Sequence, residues 1–147
     1  MNVAIVYTSL SGNTERLANV IATEIERIGG KCDLLLAGRF SVDLRTYDIV
    51  LFGSYTWGDG KLPIAMKKEM RRILIDEKQI PKVAAVFGTG DTQYYKYCRA
   101  VDEMKYHLEK NGVIVKGDEL KIEQYCQGSQ ERKATNWTNE IIRGIQI

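Results

Sequence analysis

Val3-Ala4-Ile5-Val6-Tyr7-Thr8-Ser9-Leu10-Ser11-Gly12-Asn13-Thr14 runs from an unbroken apolar segment into a hydroxyl-rich turn, and a helix-patterned stretch follows at once. Residues 3–7 are apolar without alternation, which suits a central parallel strand covered on both faces. The turn at 9–14 offers backbone N–H groups and the hydroxyls of Ser9, Ser11 and Thr14. It stands at the positive end of a helix dipole, where a dianion is favoured. No Lys or Arg lies in the turn, so hydrogen bonds and the dipole must supply the neutralisation. Neither the G-x-x-x-x-G-K-[ST] loop of nucleotide hydrolases nor the G-x-G-x-x-G of dinucleotide sites occurs here. The pattern fits a single terminal phosphate.

Outward from this unit the chain alternates strand and helix. Apolar runs recur at 49–53 and 83–87, each ending in Gly, Ser or Thr. Residues 32–36 read as an edge strand, and 113–115 with 120–122 as a last strand interrupted near Gly117-Asp118. Helical stripes lie between them: Leu17, Val20, Ile21, Ile25 and Ile28, stopped by Gly29-Gly30; Met66, Met70, Ile73 and Leu74 after Pro63; Val101, Met104 and Leu108; Trp137, Ile141, Ile142 and Ile145. Five strands and four helices in this order predict a doubly wound α/β sheet with right-handed crossovers, one domain over 1–147. Ligands of such sheets bind beyond the carboxyl ends of the strands, at the switch point in strand order.

Composition narrows the chemistry. The formal charge of +2 points to no nucleic-acid partner, and no apolar run approaches the roughly 18 residues that span a bilayer. Cys32, Cys98 and Cys126 are odd in number and widely spaced, which suits a reducing cytoplasm and excludes a disulfide framework or zinc site. His107 is the single histidine, so His-dependent triads have nothing to draw on. No catalytic acid, base or nucleophile is evident and no metal site is expected.

Two further strand exits are rich in glycine and aromatics. The third strand leaves through Ser54-Tyr55-Thr56-Trp57-Gly58-Asp59-Gly60 and the fourth through Gly88-Thr89-Gly90-Asp91-Thr92-Gln93-Tyr94-Tyr95-Lys96-Tyr97-Cys98. Glycine permits close approach there, and Trp57 with a tyrosine can stack on a flat heteroaromatic ring. Phosphate at one end and a planar ring at the other describe a mononucleotide.

Three such loops, in order and over essentially the whole chain, resemble the short-chain flavodoxins. The resemblance implies a three-layer α/β/α sandwich with a five-stranded parallel sheet in order 2-1-3-4-5; that order is a known property of the family and not a consequence of the spacing. It implies non-covalently bound FMN. Ser9, Leu10, Ser11, Gly12, Asn13 and Thr14 would hold the phosphate, and Thr56 with Asn13 would bound the ribityl chain. Trp57 would cover the inner face of the ring and Tyr94 the outer, with Tyr95 and Tyr97 as alternatives. Thr89, Gly90, Asp91 and Cys98 would meet the pyrimidine edge through their backbones. The Gly58 carbonyl would turn toward flavin N5–H in a neutral semiquinone, which glycine makes inexpensive. The implied function is low-potential one-electron transfer, not enzymatic turnover, by a monomer. A donor of the ferredoxin/flavodoxin-NADP reductase type would serve acceptor redox enzymes, a ribonucleotide-reductase-activating flavoprotein being one candidate.

Rival readings on the same scaffold are an FMN-dependent NAD(P)H:quinone-type reductase, which an outer Tyr94 would obstruct, and a ribonucleotide reductase activator. A receiver domain fails, because Tyr7-Thr8 and Gly53-Ser54 stand where its acidic residues should be. Asp59 and Asp91 read either as turn formers or as electrostatic tuners. Lys61 stands where acidic residues are common in the family. Lys67, Lys68, Arg71 and Arg72 read either as a solvated helix face or as a docking patch.

Overall fold

The computed structural model describes residues 1–93 and 96–146. Strand β1 (Asn2–Tyr7) leads into α1 (Asn13–Arg27), then β2 (Lys31–Leu36), β3 (Ile49–Tyr55), α2 (Ile64–Arg71), β4 (Val83–Gly90), α3 (Arg99–Lys110), β5 (Ile114–Val115), β6 (Leu120–Glu123) and α4 (Ser129–Gln146). All described strand pairs are parallel, in the order β2-β1-β3-β4-β5. The interrupted last strand is two segments on one edge of β4: Val83 pairs Ile114, and Phe87 pairs Leu120.

Alternation along the strands feeds two cores. Val3, Ile5, Ile49, Leu51 and Phe87 face α1 and α4, packing against Leu17, Ile21, Ile25 and Ile141. Ala4, Val6, Val50, Phe52 and Val86 face α2 and α3, packing against Met66, Met70, Val101 and Met104. Both faces of β1 and β3 are therefore buried, as their unalternating sequences require. At the sheet's edge β2 is only partly covered: Cys32 packs on one core and Leu35 on the other, while Leu34 and Leu36 stay exposed.

Helix α2 departs from a simple stripe. It widens after Arg71 into a π turn over Arg72–Asp76, closed by Glu77 N–H donating to Arg72 O at 2.8 Å. The extra residue keeps Ile73 and Leu74 both in the core. Arg72, at the start of this turn, is drawn off the solvent face by its partners. Its guanidinium donates to Glu69 (Nε to Oε1, 2.7 Å) and Glu77 (Nη1 to Oε2, 2.9 Å) and lies 5.1 Å over the Phe40 ring. Glu69, itself buried, also accepts from Gly38 N–H. Arg72 thus leaves the basic cluster read from the sequence and becomes a clamp on the loop after β2. No helix among the described residues is long and apolar enough to cross a membrane.

Candidate functional site

Three strands end at one rim. Beyond β1, Thr8 donates its N–H to Gly53 O and its hydroxyl to Ser54 Oγ, both at 3.0 Å, which locks the first two exits together. Gly12 caps α1 with φ 93; Arg16 N–H returns to Gly12 O at 2.9 Å and Glu15 N–H to Ser9 Oγ at 3.2 Å. The backbone N–H groups of residues 10–14 meet no acceptor among the described residues. Unpaired donors gathered at a helix start are an anion cradle. Thr14 differs from its sequence reading in one respect. Its hydroxyl is buried against Thr89 Oγ1 at 2.8 Å, which leaves its N–H to face the turn.

The second exit is a tight reversal. Trp57 N–H donates to Lys61 O at 2.8 Å, and Gly60 and Lys61 N–H both return to Trp57 O at 2.9 Å. This holds the indole out at 54% exposure, edge-on to Tyr55 with centroids 6.3 Å apart. Gly58 follows with φ 34 and open space around it. Gly60 sits at φ 85, and a Cβ there would come within 2.5 Å of Lys96 Cβ, so only glycine lets the third exit lie across the second.

In the third exit Asp91 accepts from Gln93 N–H at 2.9 Å and from Gln124 Nε2 at 3.1 Å, a turn-forming role. Thr56 Oγ1 accepts from Ala100 N–H at 3.4 Å, tying the second exit to the start of α3. Cys98 opens that helix with φ 51, and Gly90 has no room for a Cβ against the Cys98 backbone and Sγ. Burial pushes the Cys98 thiol up to about 11, so it is a protonated packing group. Burial likewise raises the Tyr97 phenol above its ordinary range.

A cavity of 430 Å³ lies where the loops meet, lined by Leu10, Thr56, Trp57, Gly58, Asp91 and Cys98 from the sequence reading. Tyr55, Lys96 and Tyr97 complete it. Ser9, Ser11, Gly12, Asn13 and Thr14 form the adjoining turn, which meets the cavity at Leu10, while Thr89 and Gly90 stand behind it at the end of β4. Tyr94 lies outside the described residues. Sequence reasoning passed over Tyr55; its signal was its place as the last residue of β3, at a strand's carboxyl end where such sheets bind ligands.

A doubly wound sheet whose switch-point rim joins an uncharged anion cradle to an aromatic cavity defines an α/β mononucleotide-binding protein. Residues 5–137 match the profile of the Flavodoxin family. The flavodoxin of Maridesulfovibrio salexigens is 37% identical over 149 residues, covering 96% of this chain and 97% of its own. Probable flavodoxin 2 of Bacillus subtilis is 32% identical, covering 96% and 94%. The crystal structure of oxidised flavodoxin 1 from Bacillus cereus superposes with a TM-score of 0.84 at 30% identity, over 97% of this chain and 98% of that one. The chain belongs to the flavodoxin family. It is therefore a low-potential electron carrier that binds FMN without a covalent link, not an enzyme, and these matches favour neither the quinone-reductase nor the activator reading. The donor set fits the cofactor: free N–H groups for a phosphate, apolar and aromatic walls for a ring.

Proposed function

We propose that residues 9–14 hold the FMN phosphate through backbone N–H groups and the hydroxyls of Ser9 and Ser11, and that Thr56 and Asn13 flank the ribityl chain. Trp57 takes the inner face of the ring and Tyr94 the outer, with Tyr97 lining the cavity wall. The backbones of Thr89, Gly90, Asp91 and Cys98 meet the pyrimidine edge. FMN supplies one-electron chemistry when bound; the protein's part is to grip, orient and dry it. Gly58 is free to present its carbonyl as an acceptor at flavin N5. The apolar walls make added negative charge on the ring costly, which keeps the potential low. The donor is a flavoprotein reductase of the ferredoxin/flavodoxin-NADP type and the acceptors are redox enzymes, a ribonucleotide-reductase-activating flavoprotein among the candidates. Three widely spaced free thiols support a reducing, cytoplasmic setting for the carrier.

One observation carries this reading: the unpaired N–H groups of the α1 turn open beside a cavity walled by Trp57 and Tyr97. Titrating the flavin-free protein with FMN and with riboflavin tests it. FMN fluorescence should be quenched at one equivalent, and riboflavin should bind at least tenfold more weakly, the loss of a charge-assisted contact worth about 1.5–3 kcal/mol. Equal affinities would remove the phosphate cradle from the account. Tyr94→Ser and Tyr97→Ser, compared for residual fluorescence of the bound flavin, identify the outer ring.

A further inference from the structure

The solvent face of α2 is basic and has an apolar centre. Ile64, Lys67, Lys68 and Arg71 recur at helical spacing and are all exposed, opposite the buried Met66, Glu69 and Met70. Lys67, Lys68 and Arg71 form no ion pair among the described residues, whereas Arg72 is engaged by Glu69 and Glu77. Ile64 is 71% exposed, and it stands beside Trp57 at 54%. A hollow of 520 Å³ over the start of α2 shares Tyr55 and Trp57 with the cofactor cavity. The same hollow shares Lys67 with a 620 Å³ groove between α2 and α3. Three hollows thus adjoin at Trp57 and Lys67 between the cavity and the basic face, with Glu103 on the wall of the last.

The exposed charge of α2 and of the loop leading into it is mostly positive, although Asp91 lines the cavity itself. Within residues 57–71 the carboxylates are Asp59 and the buried Glu69, against Lys61, Lys67, Lys68 and Arg71. A bound dianionic phosphate offsets the chain's formal +2, so the whole-molecule charge steers little and the local patch decides. Exposed apolar side chains ringed by unpaired cations are the anatomy of a transient interface, with an apolar centre and a charged rim.

We propose that this face, from Trp57 and Ile64 to Arg71, docks the redox partner, and that the partner presents an acidic rim around an apolar spot. The proposal rests on the cavity being the FMN site, because docking there sets the partner beside its mouth.

Stopped-flow oxidation of the reduced, FMN-loaded protein tests it with two protein oxidants, plastocyanin (acidic) and cytochrome c (basic). Plastocyanin should react more slowly as salt is added, and about tenfold more slowly at low salt with the triple variant Lys67→Glu, Lys68→Glu, Arg71→Glu. Cytochrome c should react faster with that variant. Ile64→Ser should slow plastocyanin severalfold without changing its salt dependence. Equal slowing of both oxidants, or plastocyanin rates indifferent to salt and to the triple variant, overturns the proposal. Flavin absorbance recorded before mixing separates the two failures: a wild-type protein that takes up no FMN defeats the cofactor site, and the docking face with it.

Discussion

Thr14 and Thr89 show how a single pair of hydroxyls can set the site. Their oxygens are 2.8 Å apart, both side chains are buried, and they join the first turn of α1 to the end of β4 across 75 residues of sequence. Thr14→Val should leave the Thr89 hydroxyl buried without a partner and cost about 1–3 kcal/mol. Thr14→Val with Thr89→Val should recover much of that, as urea unfolding of the flavin-free protein will measure; a double variant as unstable as the single contradicts the pairing. Lys61 offers a second residue-scale test. Its exposed ammonium follows the Trp57 reversal, where positive charge favours the added electron. Lys61→Glu should make the second reduction potential more negative in a redox titration, and an unchanged or higher value refutes the electrostatic role. Trp57, Gly58 and Gly60 stood out in the sequence because close approach and stacking admit few residue types, whereas Tyr55 of the cavity wall did not. The inward turn of the Thr14 hydroxyl was not legible, because it depends on a partner that only the folded sheet brings near.

Elements were legible where one physical demand dominated. Apolar runs without alternation gave the central strands, and Gly29, at φ 95, ended α1 where the stripe stopped. The π turn after α2 left no such mark: Arg72 read as one more surface cation, whereas it pairs with Glu69 one turn back and with Glu77 at the close of the π turn. The α1–α4 contact shows the same limit. Glu24 is buried, accepts from Arg27 Nε and Nη2 at 2.7 Å each, and accepts from Asn139 of α4. The Arg27 hydrogen bonds, helped by Asn139, hold its carboxyl below the ordinary 4.5, although burial pushes the other way. A depressed carboxylate stabilises the fold above its unfolded value and loses that contribution as pH falls through the folded one. Glu24→Gln should therefore be about 1–2 kcal/mol less stable at pH 7, with Arg27 largely exposed and the bond at the low end of its range. The gap should close below pH 4.5 as the wild-type carboxyl protonates, followed by urea midpoints across pH. A gap constant with pH would mean that packing, not charge, holds the junction.

For the whole molecule, the alternating order of elements predicted the doubly wound sheet, while the strand order rested on family resemblance, because spacing alone does not say which edge a crossover joins. The interruption of the last strand near Gly117-Asp118 was legible as well, and β5 and β6 do pair separately with β4. That edge leads into Gln124, whose N–H donates to Gly90 O at 2.8 Å and whose side chain holds Asp91, so the rim of the cavity depends on this edge of the sheet. Cofactor binding should accordingly be felt by the entire fold. FMN engages donors that only the folded rim assembles, so it should raise stability by about 4 kcal/mol at a thousandfold excess over its Kd. For a chain of this size that is a rise in Tm on the order of 10 °C. The shift should grow with the logarithm of FMN concentration, and riboflavin at the same concentration should give a smaller one. Scanning calorimetry across an FMN series decides it: a Tm indifferent to FMN, or equally raised by riboflavin, would mean that the α1 turn does not grip the phosphate and that its unpaired N–H groups serve no ligand.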